Sequence, residues 1–251
     1  MKKIRISALV LLLVCASLWG CTRGGYTRVD VPKEMQIDVS ALSEDTDNLM
    51  SSAQSVPLLA ALPDEGLYVY ATDPTIQSGV LVKYDGLLQF FPWRFTPQIA
   101  QPELYVADYD GDGRKDIAFT YVSSSGETHR RENLHVLLRG DKGFTDSFYS
   151  WEKAALETNG RLSVGNPEEN TYVVYVNGTE KTFTMHGHTG FSKLYLEDWQ
   201  DFTLGETITL QVKPGMVFQD ETLPVYGAFT YTATMDFVNG ILTQTDPRVS
   251  F

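Results

Sequence analysis

Asp108, Asp110 and Asp112 alternate along the chain, Gly111 and Gly113 lie between and after them, and Asp116 closes a nine-residue window. Carboxylate oxygens suit a hard cation, and calcium takes about six to eight oxygen ligands at about 2.3–2.6 Å. Alternate spacing brings side chains to one point in a chain that wraps around an ion. Glycine at 111 and 113 permits the positive φ that folds such a loop back on itself. Arg114, at the seventh position, offers its backbone carbonyl rather than its side chain. Four carboxylates crowded together repel one another without a cation. A bound calcium is therefore expected to order the loop.

The window overlaps the EF-hand loop and departs from it in two ways. Its twelfth position is Phe119 instead of a bidentate Glu, which leaves Asp116 at the ninth as the last acidic ligand. Its flanks, Glu103-Leu-Tyr-Val-Ala107 and Ile117-Ala-Phe-Thr-Tyr-Val122, alternate like strands. A calcium loop between two strands is expected, not a helix-loop-helix.

On these residues Val106-Ala-Asp-Tyr-Asp-Gly-Asp-Gly-Arg-Lys-Asp-Ile-Ala-Phe119 resembles the calcium-binding core of FG-GAP and VCBS-type repeats. The resemblance implies ligation by Asp108, Asp110, Asp112, the carbonyl of Arg114, and Asp116. A propeller needs at least four blades, commonly with a copy in each, and the chain holds no second D-x-D-G-D-G. A single repeat inside a compact β domain is expected, similar to single-loop VCBS-type lipoproteins of Gram-positive bacteria.

The elements that position such a loop are short runs of Tyr, Val, Phe and Thr separated by turn dipeptides. Asp85-Gly86 joins Val80–Tyr84 to Leu87–Phe91, Asn177-Gly178 joins Tyr172–Val176 to Lys181–Met185, and Asn239-Gly240 joins Tyr231–Val238 to Ile241–Gln244. Asp-Gly and Asn-Gly tolerate the positive φ of type I′ turns, so each pair reads as a hairpin. Further strands are expected at Leu67–Thr72, Leu134–Leu138 and Thr207–Val212, and one or two helical turns at Trp151–Thr158. The fold class is mainly β: a compact antiparallel domain over residues 60–251, with hairpins and minor helix, and not a full propeller.

The first 20 residues combine a basic start, Lys2, Lys3 and Arg5, with an apolar run from Ile6 to Leu18, the order of a secretory signal. Leu18-Trp19-Gly20-Cys21 resembles the bacterial lipobox, which implies cleavage before Cys21 and its lipidation. Residues 21–59 are then expected to be the lipidated N-terminus and a flexible linker, with a short helix starting at an N-cap Ser43 and ending before Pro57. Cys15 leaves with the signal, so no disulfide forms within the mature chain. Loss of Lys2, Lys3 and Arg5 leaves 17 basic against 32 acidic residues, a net charge of −15. That balance disfavours nucleic acid and suits cation binding.

Other candidates carry weaker signals. His186-Gly187-His188 would place two imidazoles on one strand face, but no Cys or nearby acid completes a metal site; His129 and His135 are more isolated. Phe90, Phe91, Trp93, Phe95, Trp151 and Trp199 suit either a core or a sugar-stacking face. Phe91-Pro92-Trp93 is the cluster whose exposure decides between them. The chain has no H-E-x-x-H, G-x-S-x-G or Gly-rich phosphate loop, and no catalytic residue is assigned. The expected function is that of a lipid-anchored calcium-binding lipoprotein on the extracytoplasmic face of the cell membrane. Its role is read as non-catalytic binding or sensing, with a glycan or envelope protein as partner and ligand-binding residues unassigned. Two alternatives stay open: an exported hydrolase with a carboxylate pair acting on glycan or cell-wall material, and a structural partner of a membrane complex.

Overall fold

A computed structural model describes residues 26–33, 35, 37–51, 54, 56–73, 79–94, 100–188, 190–219 and 221–251. Over the described residues the chain is mainly β, built from several largely antiparallel sheets and one α-helix, with no closed barrel or propeller among them.

The first sheet holds β1 (Thr27–Val29), β2 (Leu58–Leu62), β3 (Leu67–Ala71), β4 (Val80–Tyr84) and β5 (Leu87–Phe91), in the order β1-β5-β4-β3-β2. Only β1 is parallel to its neighbour. β4 and β5 form the expected hairpin, with Asp85 at φ 48° and Gly86 at φ 72°. This sheet is apolar on both faces because both are covered. Leu67, Val69, Val80 and Val82 face one core; Tyr68, Tyr70, Leu81 and Leu88 face another.

That second core corrects the expectation of a flexible linker to residue 59. Ile37 and Leu42 are buried on the outer face of the sheet, with Tyr26, Val31, Met35 and Leu49 packed beside them. Glu44 pairs with the buried Lys83, whose ammonium also lies 4.7 Å from the Tyr26 ring centre. The apolar residues here lack a regular period because the segment is held by side chains rather than by a long strand or helix. The expected helix after Ser43 is a single 3-10 turn, Thr46–Asn48, capped by Asp45.

The largest sheet follows with β6 (Glu103–Ala107), β7 (Asp116–Ser125), β8 (Arg130–Arg139) and β9 (Phe144–Tyr149). The helix α1 (Trp151–Arg161) begins at an N-cap Ser150, whose hydroxyl accepts from the Lys153 amide. It precedes β10 (Leu162–Glu168), β11 (Thr171–Val176) and β12 (Thr179–Thr184), a separate three-stranded sheet. β13 (Phe191–Tyr195) pairs with β16 (Gly215–Phe218), while β14 (Trp199–Thr203), β15 (Ile208–Val212), β17 (Thr230–Val238) and β18 (Ile241–Ser250) rejoin the large sheet. Its order is β18-β17-β15-β14-β8-β7-β6, with β9 also on β8.

Alternation along β7 divides the interior in two. Ile117 and Phe119 face the first sheet, whereas Ala118 faces the core formed with α1 and the smaller sheets. The first sheet is also fastened to β9 through a side chain: Gln89 donates to the Phe144 carbonyl at 2.9 Å and accepts from the Phe144 amide at 2.7 Å. A buried amide thus imitates a backbone partner across the interface between sheets. This packing sets the end of β6 and β7, where the acidic loop lies, against the first sheet.

Candidate metal centre

β6 and β7 pair in register up to Ala107 opposite Asp116, so residues 108–115 are the loop of a strand hairpin, as the flanking alternation predicts. Gly111 and Gly113 have φ of 79° and 87°. Within the loop, both carboxylate oxygens of Asp108 accept backbone N–H groups, from Gly111 at 2.8 Å and Gly113 at 2.9 Å. Asp110 accepts from the Asp112 amide at 3.1 Å. These bonds pull the chain around its own acidic side chains.

Asp116 is fully buried. One carboxylate oxygen accepts from the Tyr109 amide at 2.9 Å and the other from the Arg139 amide at 2.7 Å. Burial pushes its pKa up, the two backbone donors pull it down, and the Asp110 charge adds a further upward push. Asp108, Asp110 and Asp116 each place a carboxylate oxygen within 4.8 Å of the others. A divalent cation placed among three such groups would relieve their mutual repulsion.

Of the five residues expected to hold calcium, the structure gathers these three. Asp112 turns toward its own loop, accepting from the Arg114 amide at 2.8 Å and standing 3.7 Å from the Arg114 guanidinium. Arg114 sits at the expected turn, exposed, with its side chain on Asp141 at 2.7 Å. Cys21 lies outside the described residues.

Several residues that position the loop escape a reading of sequence. The Tyr109 hydroxyl donates to the Gly205 carbonyl at 2.9 Å, tying the loop to the turn between β14 and β15. Burial pushes that phenol well above its ordinary pKa. Lys115 reaches Glu65 at 2.8 Å on the first sheet, and Arg114 and the Arg139 amide connect the loop to the β8–β9 turn. The loop therefore contacts three separate parts of the fold through the Tyr109 hydroxyl, Lys115 and Arg114, in addition to the bond from the Arg139 amide to Asp116.

The remaining candidates resolve differently. Phe91 and Trp93 are buried, so the aromatic cluster singled out for exposure belongs to the core; Phe95 lies outside the described residues. His135 is buried beside Trp93, with ring centres 3.9 Å apart, and its Nδ1 is 2.9 Å from Asp146, which also accepts from the Trp93 indole at 2.8 Å. His188 pairs with Glu221 and stacks on Phe218, while His129 meets Ser124 at 2.8 Å. Among the described residues, neither His186 nor His188 belongs to a three-group metal cluster. No helix among them is long and apolar enough to cross a membrane. Comparison with known proteins finds no matching family model, no matching curated protein and no matching solved structure.

Proposed function

We propose that this chain is a calcium-binding lipoprotein anchored through Cys21 to the extracytoplasmic face of a membrane, where it serves a non-catalytic binding or sensing role. The observation that carries the calcium reading is the convergence of Asp108, Asp110 and the buried Asp116 on a glycine-containing strand hairpin loop. Hard oxygen donors of this type fit a calcium ion, with Asp112 and the Arg114 carbonyl near enough in sequence to add to its shell. The lipid anchor rests on the run from Leu18 to Cys21.

Calcium supplies two positive charges in one place. The protein's own residues then give that charge a structural consequence. Tyr109, Arg114 and Lys115 alternate or adjoin the acidic positions, so ordering the acids also orders the contacts to Gly205, Asp141 and Glu65. A change in calcium occupancy is thereby felt where the first sheet meets the large sheet.

The test is thermal unfolding in chelator and in a calcium series. A ligand that binds only the folded state raises the midpoint steadily with concentration. Extracellular calcium modules bind at about 10⁻⁴ to 10⁻³ M, so the rise is expected in the millimolar range. An unchanged midpoint at tens of millimolar, against a magnesium control, would remove the calcium reading. For the anchor, Cys21→Ser is expected to shift the protein from the membrane fraction to the soluble exported fraction.

A further inference from the structure

Beside the loop lies an open hollow of about 480 Å³, whose wall carries Arg114, Lys115 and Arg139 together with Asp85, Asp141 and Tyr84. Three cations around one hollow stand out in a chain with 20 basic and 32 acidic residues. We propose that this hollow binds a phosphoryl group, such as the headgroup of a glycerol phosphate.

Arg139 is held in place for that task. Its guanidinium lies 5.5 Å from the Phe144 ring centre, donates through Nε and Nη2 to Asp85 at 3.1 and 3.0 Å, and through Nη1 to the Gly140 carbonyl. A guanidinium has five N–H donors, so these three bonds leave two for a ligand. Its side chain is only 17% exposed, whereas its partner Asp85 is 62% exposed. Asp141, opposite Arg114, is 84% exposed. The carboxylates can turn into water while Arg139 stays where it is, so an incoming anion exchanges with weakly held partners. Glu65 on Lys115 and Asp112 near Arg114 are the other acids that compete.

A carboxylate ligand is satisfied by one guanidinium fork. A phosphoryl group has three terminal oxygens and up to two charges, which suits cations approaching from the β6–β7 loop and from the end of β8. The overall negative charge of the chain repels long polyanions lying along its surface, but a single group in one hollow meets the local cations first.

Arg114 and Lys115 belong to the acidic loop, so calcium there adds positive charge next to the hollow and fixes the stems of two of its cations. This coupling rests on the calcium reading; the hollow itself does not. By linkage, phosphoryl binding then strengthens calcium binding by the same factor.

The experiment is calorimetric titration of the full chain, in a neutral detergent, with glycerol phosphate, in calcium and in chelator. The expected result is binding that is tighter in calcium, at least 10-fold weaker in the exposed double variant Arg114→Gln/Lys115→Gln, and severalfold tighter in Asp141→Asn. Lys193→Gln, which changes a charge away from the hollow, is expected to leave it unchanged. No binding, or equal affinity in the double variant, overturns the proposal even if calcium still raises the melting temperature. Equal affinity in calcium and chelator supports the hollow and removes the coupling. A parallel arm uses phosphatidylglycerol vesicles: binding lost in the double variant supports the hollow with a lipid as its source, and binding to glycerol phosphate alone supports a soluble or polymeric phosphate.

Discussion

Asp116 and Glu132 are both buried acids on neighbouring strands of the large sheet, yet their surroundings give them different work. Asp116 ends the acidic loop, accepts only backbone donors, and has two further carboxylates close by. Glu132 lies on β8 where β14 leaves it after pairing in parallel only at residues 130 and 131. It accepts from the Phe202 amide at 2.6 Å and stands 3.1 Å from the Arg130 guanidinium. One acid has a cation supplied by its own strand and closes a gap in the sheet. The other has only further negative charge, from Asp108 and Asp110, converging on it. Burial alone therefore does not single out a candidate metal ligand; the calcium proposal rests on the converging carboxylates around Asp116, whereas Glu132 is paired with Arg130.

Removing the Asp116 carboxylate puts the most at risk. Asp116→Ala leaves the Tyr109 and Arg139 amides without their acceptor, and each buried unsatisfied donor costs about 1–3 kcal/mol. A loss of about 4 kcal/mol is expected in urea unfolding, in chelator as well as in calcium, together with loss of any calcium dependence. A variant that loses only the calcium increment would show that Asp116 acts as a ligand without also supporting the loop.

Glu132 is expected to reveal itself through pH. Burial raises its pKa from an ordinary 4.5 to about 7, against the pull of the Phe202 amide and Arg130. Between those values the folded chain keeps a proton that the unfolded chain releases, so stability falls as pH rises from about 4.5 to about 7. The linkage amounts to about 3 kcal/mol. Glu132→Gln keeps an acceptor for Phe202 and is expected to flatten that part of the stability profile. Persistence of the slope in the variant would assign it to another group.

Asp110→Asn separates ligand from scaffold on the other side of the comparison. Asp110 is exposed and accepts only the Asp112 amide within its loop. In chelator the variant is expected to match the parent. In calcium at about 100 times the dissociation constant it is expected to lack about 2–3 kcal/mol of stabilisation. Asp112→Asn is expected to lose less, since Asp112 stands outside the converging trio. Equal losses would restore Asp112 to the same rank as its neighbours.

What a reader of the sequence recovers here is what a few adjacent residues decide. Asp85-Gly86, Asn177-Gly178 and Asn239-Gly240 all take positive φ in the structure and join the expected strand pairs, because a two-residue turn carries its own geometry. The acidic loop is legible for the same reason. Contacts between distant segments are not. Gln89 meets Phe144, Tyr109 meets Gly205, and Arg139 meets Asp116 across the fold, and none of these partners is marked by type or spacing. The N-terminal stretch misleads for a related reason: Ile37 and Leu42 are sparse among polar residues, and their burial depends on a sheet face formed later in the chain.

The smallest expected effect tests whether the two acids are connected. Both regions lean on β14 and its following turn, Glu132 through the Phe202 amide and the acidic loop through the Tyr109 hydroxyl on the Gly205 carbonyl. Tyr109→Phe removes one hydrogen bond and no apolar volume, so a loss of about 1 kcal/mol is expected. If the turn transmits order to the loop, calcium affinity falls severalfold in the same variant while the pH slope assigned to Glu132 stays intact. If affinity is untouched, the loop holds its shape through Asp108 and Asp116 alone, and the tie to Gly205 serves only the packing of Tyr109. A shift in the pH slope would instead join the two acids through β14 and undo the distinction between them.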